Sequence, residues 1–301
     1  MSQLASPKIE PRPNTGAAWG QERRLEFIDF RLLWDGRLNR VELVEFFGIS
    51  IQQASLDLAK YMELGPSNLE YDKSQKVYRR AKAFRPLFTK PDAFAFLTQL
   101  SGSATGTWPS ALSFLGWRPE YDLVPQPART IQPHVLMRVL WAIRDQEDLE
   151  ITYQAMRYPA PVRRWIAPHA LASDGSRWHT RAWCHENSYF RDFVLARIQS
   201  IHAARRSDID PNADVRWRTS TTMELRAARN LTPGQRRAVE TEFGMQDGTL
   251  RLTVREALLP YFVRQWQLDD PEQRAARTAL IEWANKTDQQ DHIQKDKRHE
   301  I

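Results

Sequence analysis

The chemistry of this chain is concentrated in one arginine-rich stretch. Between Val162 and Arg206 stand eight arginines and three acids, Asp174, Glu186 and Asp192. Pairing within the stretch cannot neutralise them all, and like charges on adjacent strands repel unless a counter-anion lies between them. Each guanidinium offers a rigid fork of donors suited to bidentate contact with phosphate or carboxylate oxygens. In Arg177-Trp178-His179-Thr180-Arg181-Ala182-Trp183-Cys184-His185 the residues alternate. Arg177, His179, Arg181 and His185 share one strand face with Trp183, and Trp178, Ala182 and Cys184 take the other. The next strand groups Arg191, Phe193, Leu195 and Arg197. Paired as a hairpin, the two strands gather cations on one face with Tyr153 and Phe193 among them, an arrangement that attracts an anion. Arg163, Arg164, Arg205 and Arg206 lie nearer strand ends and read as surface charges. Cys184, on the opposite parity, reads as a core thiol.

The elements that must position these residues follow from turn chemistry and periodicity. Ser173-Asp174-Gly175-Ser176 and His185-Glu186-Asn187-Ser188 read as the two turns. Upstream, Pro133–Gln146 is a helix with an apolar stripe at Val135, Leu136, Val139, Leu140 and Ile143, and Leu149–Tyr153 is a strand. One helix followed by four or five short strands suits a small open barrel. Downstream, Val215–Met223 reads as a strand, Pro233–Phe243 as a helix, Gly248–Glu256 as a strand and Leu258–Trp266 as a helix. This α+β end domain is suited to pairing with a second copy.

The N-terminal third carries a different pattern. A helix from Trp19 stops near Asp35-Gly36, Asn39 caps a second helix to Phe47, and Gly48-Ile49 turns the chain. Ser50 then caps a third helix, Ile51–Leu64. This is the spacing of a helix-turn-helix, and Asn68–Arg80 adds a hairpin with a polar tip, the wing of a winged helix. The third helix is expected in a DNA major groove. Ser50, Gln52, Gln53 and Ser55 would face base edges or phosphates, with Lys60 further along. Lys73, Lys76, Arg79 and Arg80 would lie near the backbone. Residues 1–18 read as a disordered arm, 19–82 as the DNA-binding domain, 83–130 as a helical linker, 131–207 as the barrel, 211–284 as the end domain and 285–301 as a disordered tail.

Composition bounds the alternatives. The 301 residues carry 43 Lys+Arg against 37 Asp+Glu, a net +6 that favours a polyanionic partner. No lysine occurs between Lys90 and Lys286. No apolar run is long enough to span a bilayer, the N-terminus lacks a secretory h-region, and a single cysteine permits no intrachain disulfide. A cytoplasmic protein without membrane attachment is expected. An enzyme, such as a nucleotide-processing one, is a rival class. Yet no carboxylate pair or metal-ligand spacing accompanies His169 and His179, and phosphate-loop and nucleophile-elbow motifs are missing. Neither a catalytic group nor a metal or cofactor is therefore expected. A protein binding single-stranded RNA or DNA without promoter specificity is the second rival; it leaves the winged head unexplained.

The domain order, with PHAL (168–171), GSRWHTRAWC (175–184) and FRDFVLARI (190–198), resembles the bacterial WYL-domain transcription regulators, most narrowly the BrxR/CapW group associated with phage-defence operons. The resemblance spans about residues 19–282. Of the triplet that names the domain only the Trp is kept, as Trp178-His179-Thr180. The resemblance implies an α+β multidomain protein with a winged helix-turn-helix, a central Sm-like small β-barrel and a C-terminal α+β dimerisation domain. It implies that His169, Arg177, His179, Arg181, Arg191 and Arg197 line a pocket for an anionic effector, a nucleotide or nucleic-acid fragment, and that the chain forms a homodimer. The resulting expectation is a homodimeric repressor on an inverted-repeat duplex operator, released by that effector. Arg181→Ala should then remove the effector response alone, and Gln53→Ala should weaken specific more than non-specific binding.

Overall fold

The computed structural model describes residues 16–107, 113–125, 127, 129–268 and 280–285. The expected arm and tail lie outside these residues, except that Gly16–Ala18 open the first helix and Asn285 follows the last strand. The chain forms two compact units, residues 1–126 and 127–301.

In the first unit, helices α1 (Gly16–Trp34), α2 (Arg40–Phe47) and α3 (Ile51–Leu64) accompany an antiparallel sheet of β1 (Arg37–Leu38), β2 (Leu69–Asp72) and β3 (Val77–Arg80), in the order β1-β3-β2. Asn39 and Glu42 form a reciprocal capping box at the start of α2. The helix ends at Gly48, whose φ of 63° lies in the left-handed region that glycine adopts without a Cβ clash. Ser50 accepts the Gln53 N–H and starts α3. Ala54, Leu58 and Tyr61 of α3 then pack against Phe27, Ile28 and Leu32 of α1 and Leu43 of α2. Helix α4 (Ala93–Thr105), capped by Asp92, sends Leu100 into this same core, and Phe114 and Leu115 join it. Much of the stretch expected to be a linker is thus built into the first unit, because its aromatic and leucine side chains have a core to enter. Within that stretch the sequence also suggests a short turn over Ser110–Leu115, which lies partly outside the described residues.

The second unit begins with α5 (Pro133–Asp145). Strands β4 (Glu147–Tyr153), β5 (Val162–Ser173), β6 (Trp178–Cys184), β7 (Tyr189–Val194) and β8 (Ile198–Arg206) follow, forming one antiparallel sheet in the order β7-β6-β5-β4-β8. Strands β7 and β8 are opposite edges of that sheet, yet only a 3-10 turn, Leu195–Arg197, joins them. Four extended residues reach about 14 Å at most. Four strand spacings in a flat sheet span about 19 Å. The sheet must therefore curl until its edges approach. Two hydrogen bonds secure the curl: Val194 N–H donates to Tyr153 Oη, and Gln154 N–H to the Arg197 carbonyl. The result is a curled, open five-stranded sheet whose edge strands do not pair with each other among the described residues; its openness fits the expected small open barrel, while a distinct Sm-like barrel is not evident. Val135, Val139 and Ala142 of α5 fill it, with Leu149, Ile151, Ile166, Ala182 and Cys184.

The C-terminal part holds α6 (Val215–Arg218), β9 (Ser220–Ala227), α7 (Pro233–Glu242), β10 (Leu250–Arg255), α8 (Leu259–Gln265) and β11 (Ile281–Trp283), with sheet order β10-β9-β11. Residues 215–218 were expected in a strand. They form one helical turn because the Asp214 carboxylate accepts the Trp217 N–H, and the strand starts at Ser220. Among the described residues no helix is long and apolar enough to cross a membrane.

Candidate functional site

Within the second unit a cavity of about 450 Å³ opens between the β6–β7 hairpin, the loop after β4, and α6 and α8 of the C-terminal part. Arg157, Arg177, Arg181, Arg191 and Arg197 line it from the sheet side. Arg216 and Arg264 line it from the C-terminal side, and Asp192 and Asp214 are its acids. Seven guanidinium groups against two carboxylates leave the lining strongly positive.

The charges are not equally committed. The Arg181 Nε donates to Asp214 Oδ2 at 2.7 Å and Nη2 to Oδ1 at 3.1 Å, while Nη1 reaches Asp192 Oδ1 at 3.4 Å. Tyr261 of α8 donates its hydroxyl to the other Asp192 oxygen at 2.9 Å. His169 Nε2 lies 2.9 Å from Asp214 Oδ2. Burial alone would raise the Asp214 pKa, but hydrogen bonds from His169 and Arg181 outweigh it and hold the carboxyl well below the usual carboxylate range. Burial likewise works against the Arg181 charge, and the two carboxylates more than restore it. This bridge ties β6, β7 and the segment entering α6 together.

Arg177 is held by Asp174, Nε to Oδ2 at 2.9 Å. That aspartate also accepts N–H groups of the Gly175 turn, where φ is 84°. These bonds outweigh its burial and keep its pKa low. His179 is buried against the Tyr261 ring, centroids 5.1 Å apart, with Nε2 3.3 Å from Asp174. Burial pushes its pKa down, against partial opposition from Asp192 and Asp174. No ion pair engages Arg157 or Arg197 among the described residues. These two are the charges available to an incoming anion.

In the first unit, α3 turns Ala54, Asp57, Leu58 and Tyr61 inward and leaves Gln52, Leu56, Ala59 and Met62 exposed. Ser50 is spent as the helix cap. The Gln53 amide is tied to buried Asp57 at 3.1 Å, and Ser55 binds the Ile51 carbonyl and accepts from Arg40. Lys60 pairs with Glu63. On the hairpin, Asp72 organises the tip turn and holds Arg79, while Lys73 and Lys76 are exposed with no ion pair among the described residues.

Three segments match known domains in the order of these elements. Residues 20–102 match the BrxR transcriptional regulator winged helix-turn-helix domain, 134–203 the WYL domain, and 220–289 the BrxR transcriptional regulator C-terminal dimerization domain. Over 265 residues the chain is 43% identical to the DNA-binding transcriptional repressor CapW of Escherichia coli strain KTE188, covering 88% of this chain and 89% of that one. The chain belongs to the CapW family. It is also 40% identical to the CapW repressor of Pseudomonas aeruginosa over 271 residues, 90% of each chain. With that of Stenotrophomonas maltophilia the identity is 40% over 262 residues, 87% and 88% of the two chains.

Measured against the sequence expectations, this CapW-family chain brings Tyr153, Arg177, His179, Arg181, Arg191 and Arg197 to one cavity. It does not bring Phe193 or His169 to that lining. Phe193 pairs across with Thr180 and Arg191 with Ala182, whereas Asp192 is the residue opposite Arg181. Arg191 and Phe193 therefore belong to the core-facing parity. Phe193 is fully buried against Tyr153, and Arg191, on the edge strand, binds Tyr189 Oη at 3.1 Å. Alternation fails at Arg197 because the strand ends at Val194 and a turn with three residues per repeat follows. His169 stands behind Asp214, and His185 pairs with Asp148. Arg164, expected at the surface, is only 6% exposed, with its guanidinium over the Tyr153 and Phe193 rings. Counting parity back from core residue Ile166 would have found it. Cys184 is buried, and burial raises its pKa.

Sequence reasoning missed Arg157, Asp214, Arg216, Tyr261 and Arg264. The three-residue spacing of Tyr261 and Arg264 marks a shared helix face, but no local signal says which surface it meets. Asp214 lies beyond the last strand of the sheet, and only the fold returns it to Arg181.

Proposed function

We propose that this chain is a homodimeric transcriptional repressor that binds an inverted-repeat duplex operator and is released by an anionic effector, a nucleotide or nucleic-acid fragment. The cationic cavity carries the effector part of this reading. Its 450 Å³ falls within the roughly 300–1,000 Å³ of small-molecule sites. Its uncommitted Arg157 and Arg197 stand beside the engaged Arg181, so a phosphate can be gripped without first stripping a carboxylate of its partner. The DNA-reading part rests on the capped α3 followed by a hairpin with two exposed lysines, the arrangement of a winged helix-turn-helix. The relatives named as DNA-binding repressors support it, and the match to a dimerization domain supports the dimer.

The mechanism follows from the bridge. Asp214 is the entry to the C-terminal part, and Tyr261 of that part binds Asp192, so the wall of the cavity is also the joint between the curled sheet and the C-terminal domain. An anion bound at Arg157 and Arg197 draws the neighbouring guanidinium groups and biases that joint. A dimer geometry that binds the effector better is populated at the expense of the one that fits the operator, to the extent of the difference in affinity. Control of a phage-defence operon and residence in the cytoplasm complete the proposal.

The test is fluorescence anisotropy of the full-length protein on duplex from upstream of its own gene, beside a scrambled duplex. It is run at two salt concentrations, with and without mononucleotides and short oligonucleotides. Specific binding released by one addition supports both parts. Binding confined to single strands would replace the repressor by a single-strand-binding protein, and specific duplex binding that no addition changes would remove the effector from the cavity.

A further inference from the structure

Helix α3 has an outward face of unusual composition for a helix in water. Leu56 is 62% exposed, with Ala59 and Met62 following it at three-residue steps, and Ile51, 57% exposed, stands at the start of the helix. Single exposed apolar residues are ordinary, but a run on one face marks a surface that is covered in use. The polar side chains that would read bases are mostly committed elsewhere: Ser50 to the cap, Gln53 to Asp57, Ser55 to Ile51 and Arg40. Gln52 alone on the first turns of that face is exposed with no partner among the described residues. An aliphatic face in a major groove finds one apolar group on the base edges, the C5-methyl of thymine.

We propose that α3 reads thymine by apolar contact, with Leu56 against the C5-methyl group and Ile51 able to make a second such contact from the start of the helix. The proposal rests on the DNA-reading role given above and specifies what that role recognises. Leu56 and Gln52 are one turn apart, so the same face presents a methyl reader and an amide able to bind adenine bidentately. The half-site accordingly contains A·T pairs at the positions under this face. Specificity there is set by shape-matched burial more than by hydrogen bonds.

The experiment selects duplexes from a random library with the full-length protein. The selected site is then resynthesised with deoxyuridine in place of each thymidine of one half-site. Deoxyuridine pairs as thymidine does and lacks only the methyl group. Wild type should bind roughly four-fold more weakly at one or two positions, the factor that burying one methyl-sized group sets. Leu56→Ala should abolish that discrimination, and its exposed position lets the variant fold. Deoxyuridine sensitivity nowhere in a tightly bound site would overturn the proposal, as would sensitivity unchanged in both Leu56→Ala and Ile51→Ala. Loss of the dimer in Leu56→Ala by sedimentation, with the thymine preference intact, would make this face a protein contact instead. A library showing no enrichment at all would be a different failure, that of the DNA-reading role itself.

Discussion

Two buried carboxylate networks, one in each unit, use the same chemistry to opposite ends. In the first unit Asp57 is fully buried and bound by Arg24 at 2.6 Å, while Asp29 accepts the Tyr61 hydroxyl and the N–H groups of Leu87, Phe88 and Thr89. Their donors come from α1, α3 and the segment after the wing, and they lock α3 to its support. In the second unit Asp214 and Asp192 are equally well bonded, but their partner Arg181 faces a 450 Å³ cavity lined with further arginines. There, buried His179 Nδ1 has no hydrogen-bond partner among the described residues, and a buried unsatisfied polar atom costs about 1–3 kcal/mol. The difference is access. Around fully buried Asp29 and Asp57 the network holds a shape, and one bordering a cationic cavity can respond to an anion.

The strongest test removes the cation from each network. Arg24→Ala leaves Asp57 buried without its counter-charge, and Arg181→Ala does the same to Asp214. Each is expected to cost about 3–5 kcal/mol, measured by denaturant unfolding with probes in each unit. This revises the expectation that Arg181→Ala would silence the effector alone: the side chain is part of the joint, so its loss loosens the second unit as well. A variant melting like wild type would mean that the pair is superficial and that the cavity wall is built on something else.

The comparison sharpens with an anion. A nucleoside monophosphate or short deoxyoligonucleotide at a hundredfold its Kd should stabilise the second unit by about 2.7 kcal/mol and leave the first unchanged. Arg197→Ala, which breaks no ion pair among the described residues, should remove that gain without lowering the stability of the unliganded protein. Equal stabilisation of both units would show that the anion binds basic surface indiscriminately.

Legibility in the sequence divides along the same line. Elements fixed by local signals were readable: the Asn39 and Ser50 caps, the Gly48 turn, the wing, and the alternation in β6 that sets Arg177, His179 and Arg181 on one face. Features fixed by register or return of the chain were not. Whether Arg191 or Asp192 stands opposite Arg181 depends on a pairing register the turn sequence leaves open, and it decides which charge bonds Arg181. Asp214 reverses an argument made from charge count alone. Three acids within Val162–Arg206 cannot neutralise eight arginines, and the fold supplied Asp148, Glu150 and Asp214 from outside. The 83–130 stretch failed for the same reason, since its prolines are local while the core that takes Leu100 and Phe114 is not.

A smaller effect separates locking from reading within the first network. The Gln53 amide donates to Asp57, so Gln53→Ala is expected to cost about 0.5–1.5 kcal/mol of stability, the net worth of one hydrogen bond. Binding to operator and scrambled duplex should then fall together. A selective loss on the operator would restore Gln53 as a base reader and show that its bond to Asp57 gives way in the complex.

The gentlest test changes only the pH. His179 has its folded pKa lowered, chiefly by burial, so between that value and the unfolded value near 6.5 the unfolded chain binds more protons than the folded one. The stability of the second unit should therefore fall as pH drops through about 6.5. A further loss should follow below about pH 4, because Asp174 and Asp214 have lowered folded pKa values and their contribution vanishes as they protonate. In the first unit the shifts oppose each other. Burial raises Asp35, which favours folding as pH falls toward the carboxylate range, while hydrogen bonds lower Asp72 at the exposed wing tip. Hydrogen exchange followed unit by unit from pH 7.5 to 5.5 should show protection declining in the second unit first, and His179→Gln should flatten that decline. An identical pH profile in the two units would mean that His179 is not the group titrating, and that the cavity wall is better hydrated than its burial implies.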